Sequence, residues 1–126
     1  MNTKATRTTY MITKTVQKIE ELILRTTGLP RTVLHKKAID FFFEKEEPRI
    51  SPRLLIKDKN NPEYVMKDTI EPVYIEPADR ERMKEVAKKF HTTMSVVFLE
   101  ALMEYVTFQV ETLGLMDKLK FQENKK

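Results

Sequence analysis

Few side chains in this sequence have the type and spacing that chemistry requires. It contains no cysteine and only two histidines, His35 and His91, which are far apart and stand in no metal-ligand spacing. Thiolate catalysis, disulfides and cysteine-based zinc sites are therefore excluded, and we expect no metal site. The adjacent acidic residues Glu20 and Glu21 do not converge on one site, since neighbouring residues of a helix face different ways. Because two glycines leave no phosphate-binding loop, the sequence predicts neither an enzyme nor a cofactor.

Composition and charge limit the remaining classes of protein. Of the 126 residues, 40% are hydrophobic and 33% charged, which is typical of a helix-rich fold with one compact domain or two small intertwined units. Residues 1–44 hold eight Lys or Arg against four Asp or Glu, whereas residues 70–111 hold five against eight. The net charge of +4 permits nucleic-acid binding, in which the first half would take the larger part. No segment has the apolar length of a signal peptide or membrane span, so we expect a cytoplasmic protein.

The first half, residues 1–44, predicts one strand followed by two helices. Residues 6–12 are rich in β-branched and aromatic types, which favours a short strand. Thr13 can cap a helix that runs from about residue 14 to residue 27, and Gly28 can end this helix in a left-handed conformation. Pro30 suits the start of the second helix, because its fixed φ is compatible with a first helical turn.

The rest of the chain predicts a linker, a second half and a tail. The linker, residues 45–69, contains three prolines and charges of both signs, and its apolar residues 54–56 either dock on the body or form a minor strand. The second half, residues 70–112, contains a strand over 70–75, a helix from Pro77, a break at 91–93 and a helix capped by Thr93, which Gly114 ends. The tail, residues 113–126, is charged, and we expect it to fray from residue 115.

The two halves match in pattern at an offset of 63 residues without gaps. Leu34 and Ala38, for example, fall on Val97 and Ala101. A recurring strand and two helices of equal length indicate an internal repeat. The first turns of the first helix fit less well. There Met83 falls on Glu20, which predicts a local irregularity of about one residue in one copy.

The repeated unit cannot be stable alone, because a lone strand has no partner and two helices with one apolar stripe each cannot close a core. Two units solve both problems if their strands pair antiparallel above four helices. Alternate strand residues then point into solvent, and the others anchor the strands below. We expect a mainly helical domain with a short two-stranded antiparallel ribbon. The two halves pair either within one chain or between two chains.

This organisation resembles the ribbon-helix-helix family of Arc, MetJ and CopG. The resemblance rests on the turn and second helix of each copy, GLPRTVLHKKAIDFFF over residues 28–43 and HTTMSVVFLEALMEYV over residues 91–106. The first follows the family pattern of Gly, a capping segment and then Leu-Ile-x-x-Ala-Ile-x-x-Tyr-Leu, and the second follows it after His91, which stands at the position of the Gly. The resemblance covers residues 6–44 and 70–107. Two copies in one chain are similar to the tandem arrangement of TraY-type relaxosome accessory proteins.

The resemblance implies that the paired strands enter the major groove of DNA and that alternate side chains read base edges. In the first copy the outward residues are Arg7, Thr9 and Met11. The matching positions of the second copy are Ile70, Pro72 and Tyr74, of which Tyr74 alone has a hydrogen-bonding side chain. We therefore expect base contacts from Arg7, Thr9, Met11 and Tyr74, and an asymmetric recognition site. Alternatively, Arg7 and Thr9 lie on a solvated N-terminal arm, and Tyr74 is a packed aromatic residue.

The resemblance also implies that the start of each second helix binds phosphate through backbone amides and the helix dipole. The residues at these positions are Arg31 and Thr32 in the first copy, and Thr93 and Ser95 in the second. His91 replaces the usual glycine. Histidine adopts the left-handed conformation more readily than most residues, so we expect the turn to survive at some cost.

The function expected from these residues is sequence-specific binding of double-stranded DNA. The protein would act as a transcriptional regulator, such as a repressor, or as an accessory factor in conjugation with a relaxase as partner. It would bind as a monomer with pseudo-twofold symmetry or as a homo-oligomer on DNA. Two alternatives remain: an antitoxin-like or other protein-binding module, which the acidic second half and charged tail favour, and a purely structural helical homodimer.

Overall fold

The computed structural model describes residues 5–119, which form a mainly helical fold with one two-stranded antiparallel sheet. In chain order the elements are β1 (Thr6–Ile12), α1 (Lys14–Thr27), α2 (Arg31–Phe43), a 3-10 helix (Pro52–Leu55), β2 (Thr69–Ile75), α3 (Pro77–Lys89) and α4 (Met94–Thr112). The first half contributes β1, α1 and α2, and the second half contributes β2, α3 and α4. The expected mixture of helices and a short ribbon is confirmed.

The two strands pair with each other within one chain. Thr9 lies opposite Pro72 at the centre of the ribbon, and the register runs from the pair Thr6–Ile75 to the pair Ile12–Thr69. Side chains alternate between the two faces, as the pleat of a strand requires. The apolar residues that point down from the ribbon into the core are Tyr10, Ile12, Val73 and Ile75.

Local sequence signals set the helix ends. The hydroxyl oxygen of Thr13 accepts a hydrogen bond from the Val16 amide at 3.1 Å. Thr93 caps α4 through the Val96 amide at 3.2 Å in the same way. Gly28 ends α1 with φ +75°, where its amide donates to the Leu24 carbonyl at 2.8 Å. These three predictions are confirmed, because each depends only on residues within one turn of the helix end.

The turn between α3 and α4 keeps its left-handed residue although no glycine is present. His91 has φ +54°, the one positive φ among the non-glycine residues from 5 to 119. The Thr92 amide donates to the Ala87 carbonyl at 2.9 Å, and the His91 amide donates to the Lys88 carbonyl at 3.2 Å. This pair of hydrogen bonds is a Schellman motif, which satisfies the last carbonyls of α3. The expectation that the turn survives is confirmed.

Helix α4 is the centre of the core. It packs against β1, α1, α2, α3 and the 3-10 helix, and every residue from 96 to 102 is buried.

Residues of the linker and of the tail also pack into this core. Ile50 and Leu54 are buried, so the linker docks on the body through a 3-10 helix and forms no minor strand. Leu115 is buried as well, so the prediction that the tail frays is wrong at residue 115. Residues 120–126 lie outside the described part of the chain.

The internal repeat reappears in the element bounds. Adding 63 to the bounds of β1 gives those of β2, and the same offset takes the first residue of α1 to that of α3 and the first residue of α2 to that of α4. The predicted irregularity in the first helix is wrong. Glu20 and Met83 occupy equivalent positions and are both buried, so α1 and α3 are in phase. A carboxylate occupies a core position, which the apolar pattern had not allowed for.

No single helix within residues 5–119 has both the length and the apolar composition needed to cross a membrane. The pair α3 and α4 passes that test only when the two are taken together across a bend of 105°.

Candidate nucleic-acid interface and buried ion cluster

The upper face of the ribbon is open to solvent. It carries three cross-strand pairs: Arg7 with Tyr74, Thr9 with Pro72, and Met11 with Ile70. Ile70 is 61% exposed, Tyr74 51% and Met11 37%. The six residues expected to point outward do so, and Arg7 and Thr9 lie in a paired strand instead of a solvated arm.

The six side chains form a gradient along the ribbon. One end has the guanidinium of Arg7 and the hydroxyl of Tyr74, which can hydrogen-bond to base edges. The other end has Met11 and Ile70, which offer apolar contact only. Thr9 lies between the two ends, opposite a proline that has no side-chain polar atom. The two strands therefore present different chemistry, as their sequences predict.

The second helix of each half begins beside the strand of the other half. The Met11 amide donates to the hydroxyl oxygen of Ser95 at 3.2 Å, which places the start of α4 beside β1. Arg31 contacts Glu71 at 3.3 Å, which places the start of α2 beside β2. Both helix starts therefore flank the ribbon. Their first amides lack partners within the helix and carry the positive end of its dipole.

The four residues predicted at phosphate contacts differ in what they already bind. Thr32 is exposed. The Ser95 hydroxyl oxygen accepts from β1, and the Thr93 hydroxyl oxygen caps α4. The Arg31 guanidinium forms ion pairs with three carboxylates, and its side chain is 34% exposed. Phosphate binding by these residues stays a prediction, and Arg31 has its backbone amide but not a free guanidinium to offer.

A buried ion cluster lies directly beneath the ribbon. His35 Nε2 is 2.7 Å from Glu20 Oε2 and 2.7 Å from Glu71 Oε2. The three side chains come from α2, α1 and β2, and each is 1% exposed or less. Two carboxylates therefore face His35, which the spacing of residues in the sequence did not indicate. Glu20 belongs to the same half as His35, and the pairing of the two halves brings Glu71 to them.

Two further side chains satisfy the remaining carboxylate oxygens. Arg31 Nη1 is 3.0 Å from Glu20 Oε1 and 3.3 Å from each oxygen of Glu71. Gln17 Nε2 donates to Glu71 Oε1 at 2.9 Å. The guanidinium of Arg31 and the imidazole of His35 thus face the two carboxyl groups. Buried charges are tolerated in proteins when they are paired and hydrogen-bonded in this way.

The environment separates the pKa values of the two carboxyl groups. Burial raises the pKa of Glu20 to about 7, although the hydrogen bond to His35 opposes the rise. Burial acts in the same direction on Glu71, but hydrogen bonds from His35 and Gln17 prevail and lower the pKa of Glu71 to about 2. Burial lowers the pKa of His35, but the hydrogen bonds to both carboxylates outweigh it and raise this pKa. Glu71 is therefore the anion of the cluster, and Glu20 is the group that retains a proton towards neutral pH.

The donor set of two carboxylates and one imidazole is also one that zinc accepts, but the distances between the donor atoms differ from those of a zinc centre. Tetrahedral ligands at about 2.0–2.1 Å from zinc hold their donor atoms about 3.3 Å apart. The donor atoms here are 2.7 Å apart, which is a hydrogen-bond distance. The second ring nitrogen of His35 is buried without a hydrogen-bond partner in the described part of the chain, whereas metal-bound histidines usually donate that N–H. The geometry fits an ion cluster better than a metal centre.

A second polar contact joins the halves nearby. Lys36 Nζ of α2 is 2.8 Å from Asp79 Oδ2 of α3, and the Asp79 side chain is 3% exposed. Burial opposes ionisation, but the hydrogen bonds from Lys36 and Arg82 prevail and lower the pKa of Asp79. A cation of the first half therefore again binds a buried carboxylate of the second half.

The equivalent positions on the other side of the core are largely apolar. At the offset of 63, Glu20 corresponds to Met83 and His35 corresponds to Phe98, and both counterparts are buried. Arg31 corresponds to Met94, and Glu71 corresponds to Thr8. The sequence contained a signal for this difference. Strand alternation places Glu71 on the underside of the ribbon, where a carboxylate needs a buried partner.

No protein-family model, curated protein or solved structure matches this chain.

Proposed function

We propose that this protein binds double-stranded DNA in a sequence-specific manner, as a tandem ribbon-helix-helix protein whose two halves form an intramolecular pseudo-dimer. The observation that carries the proposal is the exposed face of the ribbon formed by β1 and β2. That face carries a polar end and an apolar end on a backbone fixed from below by buried residues. Nothing within residues 5–119 covers it, so it is free to enter a groove.

The dimensions of a ribbon support this proposal. Two strands lie about 4.8 Å apart, and the major groove of B-DNA, about 12 Å wide, admits such a pair. Arg7 would donate two hydrogen bonds to a guanine. Thr9 and Tyr74 would bond to neighbouring base edges, and Met11 would contact a thymine methyl group.

The helix starts beside the ribbon would hold the DNA backbone. The first backbone amides of α2 and α4 would each bind a phosphate, aided by the hydroxyl groups of Thr32, Thr93 and Ser95. Arg31 would contribute its amide while its guanidinium stays with Glu20 and Glu71. These contacts carry no sequence information but fix the register of the ribbon in the groove.

The preferred DNA site would be asymmetric. A symmetric dimer presents the same residues on both strands and therefore reads a palindrome. Here Arg7 faces Tyr74 and Met11 faces Ile70, so each half of the site meets different side chains. Regulation of transcription and assistance to a relaxase at a transfer origin are both compatible with such a protein, and both would require a specific site.

A gel-shift titration of the full chain would test this function. The probe would be the intergenic duplex beside its own gene, and the competitor would be random-sequence DNA at physiological salt. We expect tighter binding to the probe, and an affinity that falls steeply with salt because several phosphates are neutralised. Equal affinity for both duplexes would sink the proposal.

A further inference from the structure

The contacts that buried carboxylates make between the halves have a consistent direction. An ion pair in the opposite direction, Arg82 with Asp40 at 3.8 Å, joins two exposed side chains. Two carboxylates of the second half, Glu71 and Asp79, are buried, and cations of the first half bind both. Arg31 and His35 contact the first carboxylate, and Lys36 contacts the second. The first half therefore supplies the cations and the second half supplies the buried carboxylates at two separate places in the interface.

The equivalent contacts in the opposite direction contain no charges. Glu71 and Arg31 correspond to Thr8 and Met94, and neither counterpart is charged. Asp79 and Lys36 correspond to Val16 and Leu99, which are both buried apolar residues. The apolar pattern of the two halves is alike, but their polar interface residues are complementary and not identical.

Pairing of like halves would remove these contacts, and Asp79 would keep only Arg82 of its own half. Two first halves would bring Thr8 to the position that Glu71 occupies. Arg31 would then keep the carboxylates of its own half, Glu20 and Glu21, and His35 would keep Glu20 alone. Two second halves would bury Glu71 among Met83, Phe98 and Met94 without a cation. A buried charge that loses its partner is strongly unfavourable, and single buried polar groups are known to fix the pairing of otherwise similar apolar interfaces.

We propose that the Glu20–His35–Glu71–Arg31 cluster and the Lys36–Asp79 contact specify pairing of unlike halves. The interface of a first half would accept a second half, of the same chain or of another copy, and would reject another first half. This inference rests on the tandem pairing proposed above but does not depend on DNA binding, so its test contains no DNA.

The register of the ribbon provides a reporter for like pairs. Thr9 lies opposite Pro72, its equivalent at the offset of 63, so in a pair of first halves position 9 would lie opposite itself. Directly opposed strand residues have Cα atoms within disulfide range. Because the chain has no cysteine, Thr9→Cys introduces a single thiol at this exposed site. Pro72→Cys reports pairs of second halves in the same way.

The experiment starts from the folded full chain with a protease site inserted between Asn60 and Asn61, in the exposed part of the linker. The chain is cleaved, unfolded in urea, refolded and oxidised, and disulfide-linked fragments are counted on a non-reducing gel. The double variant Thr9→Cys/Pro72→Cys shows that a disulfide can form across the ribbon. The matched comparison is a variant that keeps the partly exposed Arg31, which retains Glu21 as its partner. In it, Lys36 and the buried polar residues are replaced by their equivalents: Glu20→Met, His35→Phe, Lys36→Leu, Glu71→Thr and Asp79→Val.

We expect almost no first-half dimers from the cleaved chain carrying Thr9→Cys alone. In the apolar variant the first-half dimers should approach the share set by random pairing, about a quarter of all pairs. First-half dimers at that share with the native cluster would overturn the inference, whether or not the apolar variant folds. Failure of the cleaved native chain to reassemble unlike halves would overturn it as well.

Discussion

His35 and Phe98 occupy equivalent positions in the two halves and meet edge to face, with ring centroids 5.2 Å apart. The two rings have different surroundings. His35 is hydrogen-bonded to Glu20 and Glu71, whereas Phe98 stacks on Tyr10 at 5.2 Å. The contact between α2 and α4 therefore joins a polar side of the core to an apolar side.

Replacing one residue of the cluster should lower the free energy of unfolding more than replacing all of its buried residues together. Glu71→Thr leaves Arg31, His35 and Glu20 without the anion of the cluster, and we expect the free energy of unfolding to fall by about 3 kcal/mol. The triple variant Glu20→Met/His35→Phe/Glu71→Thr removes the buried charges together and should lie close to the wild type or above it. Urea unfolding followed by circular dichroism measures both. A triple variant as unstable as the single one would contradict this account.

The cluster should make the protein less stable at mildly alkaline than at mildly acidic pH. The pKa of Glu20 rises from 4.5 to about 7 on folding, so its stabilising contribution is complete below pH 4.5 and lost as the pH rises through 7. The raised pKa of His35 acts in the same direction. Glu104 does so too, because burial and the neighbouring Glu100 raise its pKa to about 7. The pKa of Glu71 falls to about 2, so its contribution is present above pH 4.5 and lost as the pH falls through 2.

We therefore expect maximal stability at about pH 4.5, and a decline on both sides, which on the alkaline side falls mostly between about pH 4.5 and 7. Urea unfolding at a series of pH values measures this profile. Glu104→Gln removes the contribution of Glu104 and isolates that of the cluster. In the Glu104→Gln background, the triple variant should lose most of the decline above about pH 4.5. A decline that persists unchanged there would show that the cluster is not its source.

The left-handed turn at His91 should be a site of conformational strain. Residues other than glycine pay about 1–2 kcal/mol for this conformation, so His91→Gly should raise the free energy of unfolding by about 0.5–1 kcal/mol after the entropy of glycine is included. Gly28→Ala is the converse control, because it removes a glycine from a position with positive φ. Gly28 has φ +75° with open space around it, so alanine there should cost about 1 kcal/mol from backbone conformation alone. Thermal or urea unfolding distinguishes the two, and a His91→Gly variant that is less stable would refute the strain.

Arg7 should contribute to specificity more than to general affinity. We expect Arg7→Ala to weaken binding to the preferred duplex by about 1–3 kcal/mol, because a bidentate contact to a base is lost. Its binding to random DNA should weaken far less. Arg25→Ala removes an equal charge from an exposed position in the last turn of α1 and serves as the control. Anisotropy titrations on both duplexes measure the difference, and equal losses on the two duplexes would exclude base contact by Arg7.

The local parts of this fold could be read from the sequence, and the long-range polar parts could not. Thr13, Gly28 and Thr93 act on backbone groups within one helical turn, so their roles follow from their neighbours alone. The outward set on the ribbon follows from strand alternation. The burial of Glu20 was not predicted, because an apolar pattern assigns every carboxylate to the surface. The other carboxylate that contacts His35, Glu71, belongs to the other half of the chain.

Selection of binding sites from a pool of random-sequence duplexes is the most direct test of sequence reading by the ribbon. The full chain is used for repeated rounds of capture, with Arg7→Ala and Thr9→Ala in parallel. We predict enrichment of one asymmetric site by the wild type, and loss of preference at separate base pairs in each variant. No enrichment, or the same enriched site from all three proteins, would contradict the claim that the ribbon of β1 and β2 reads DNA.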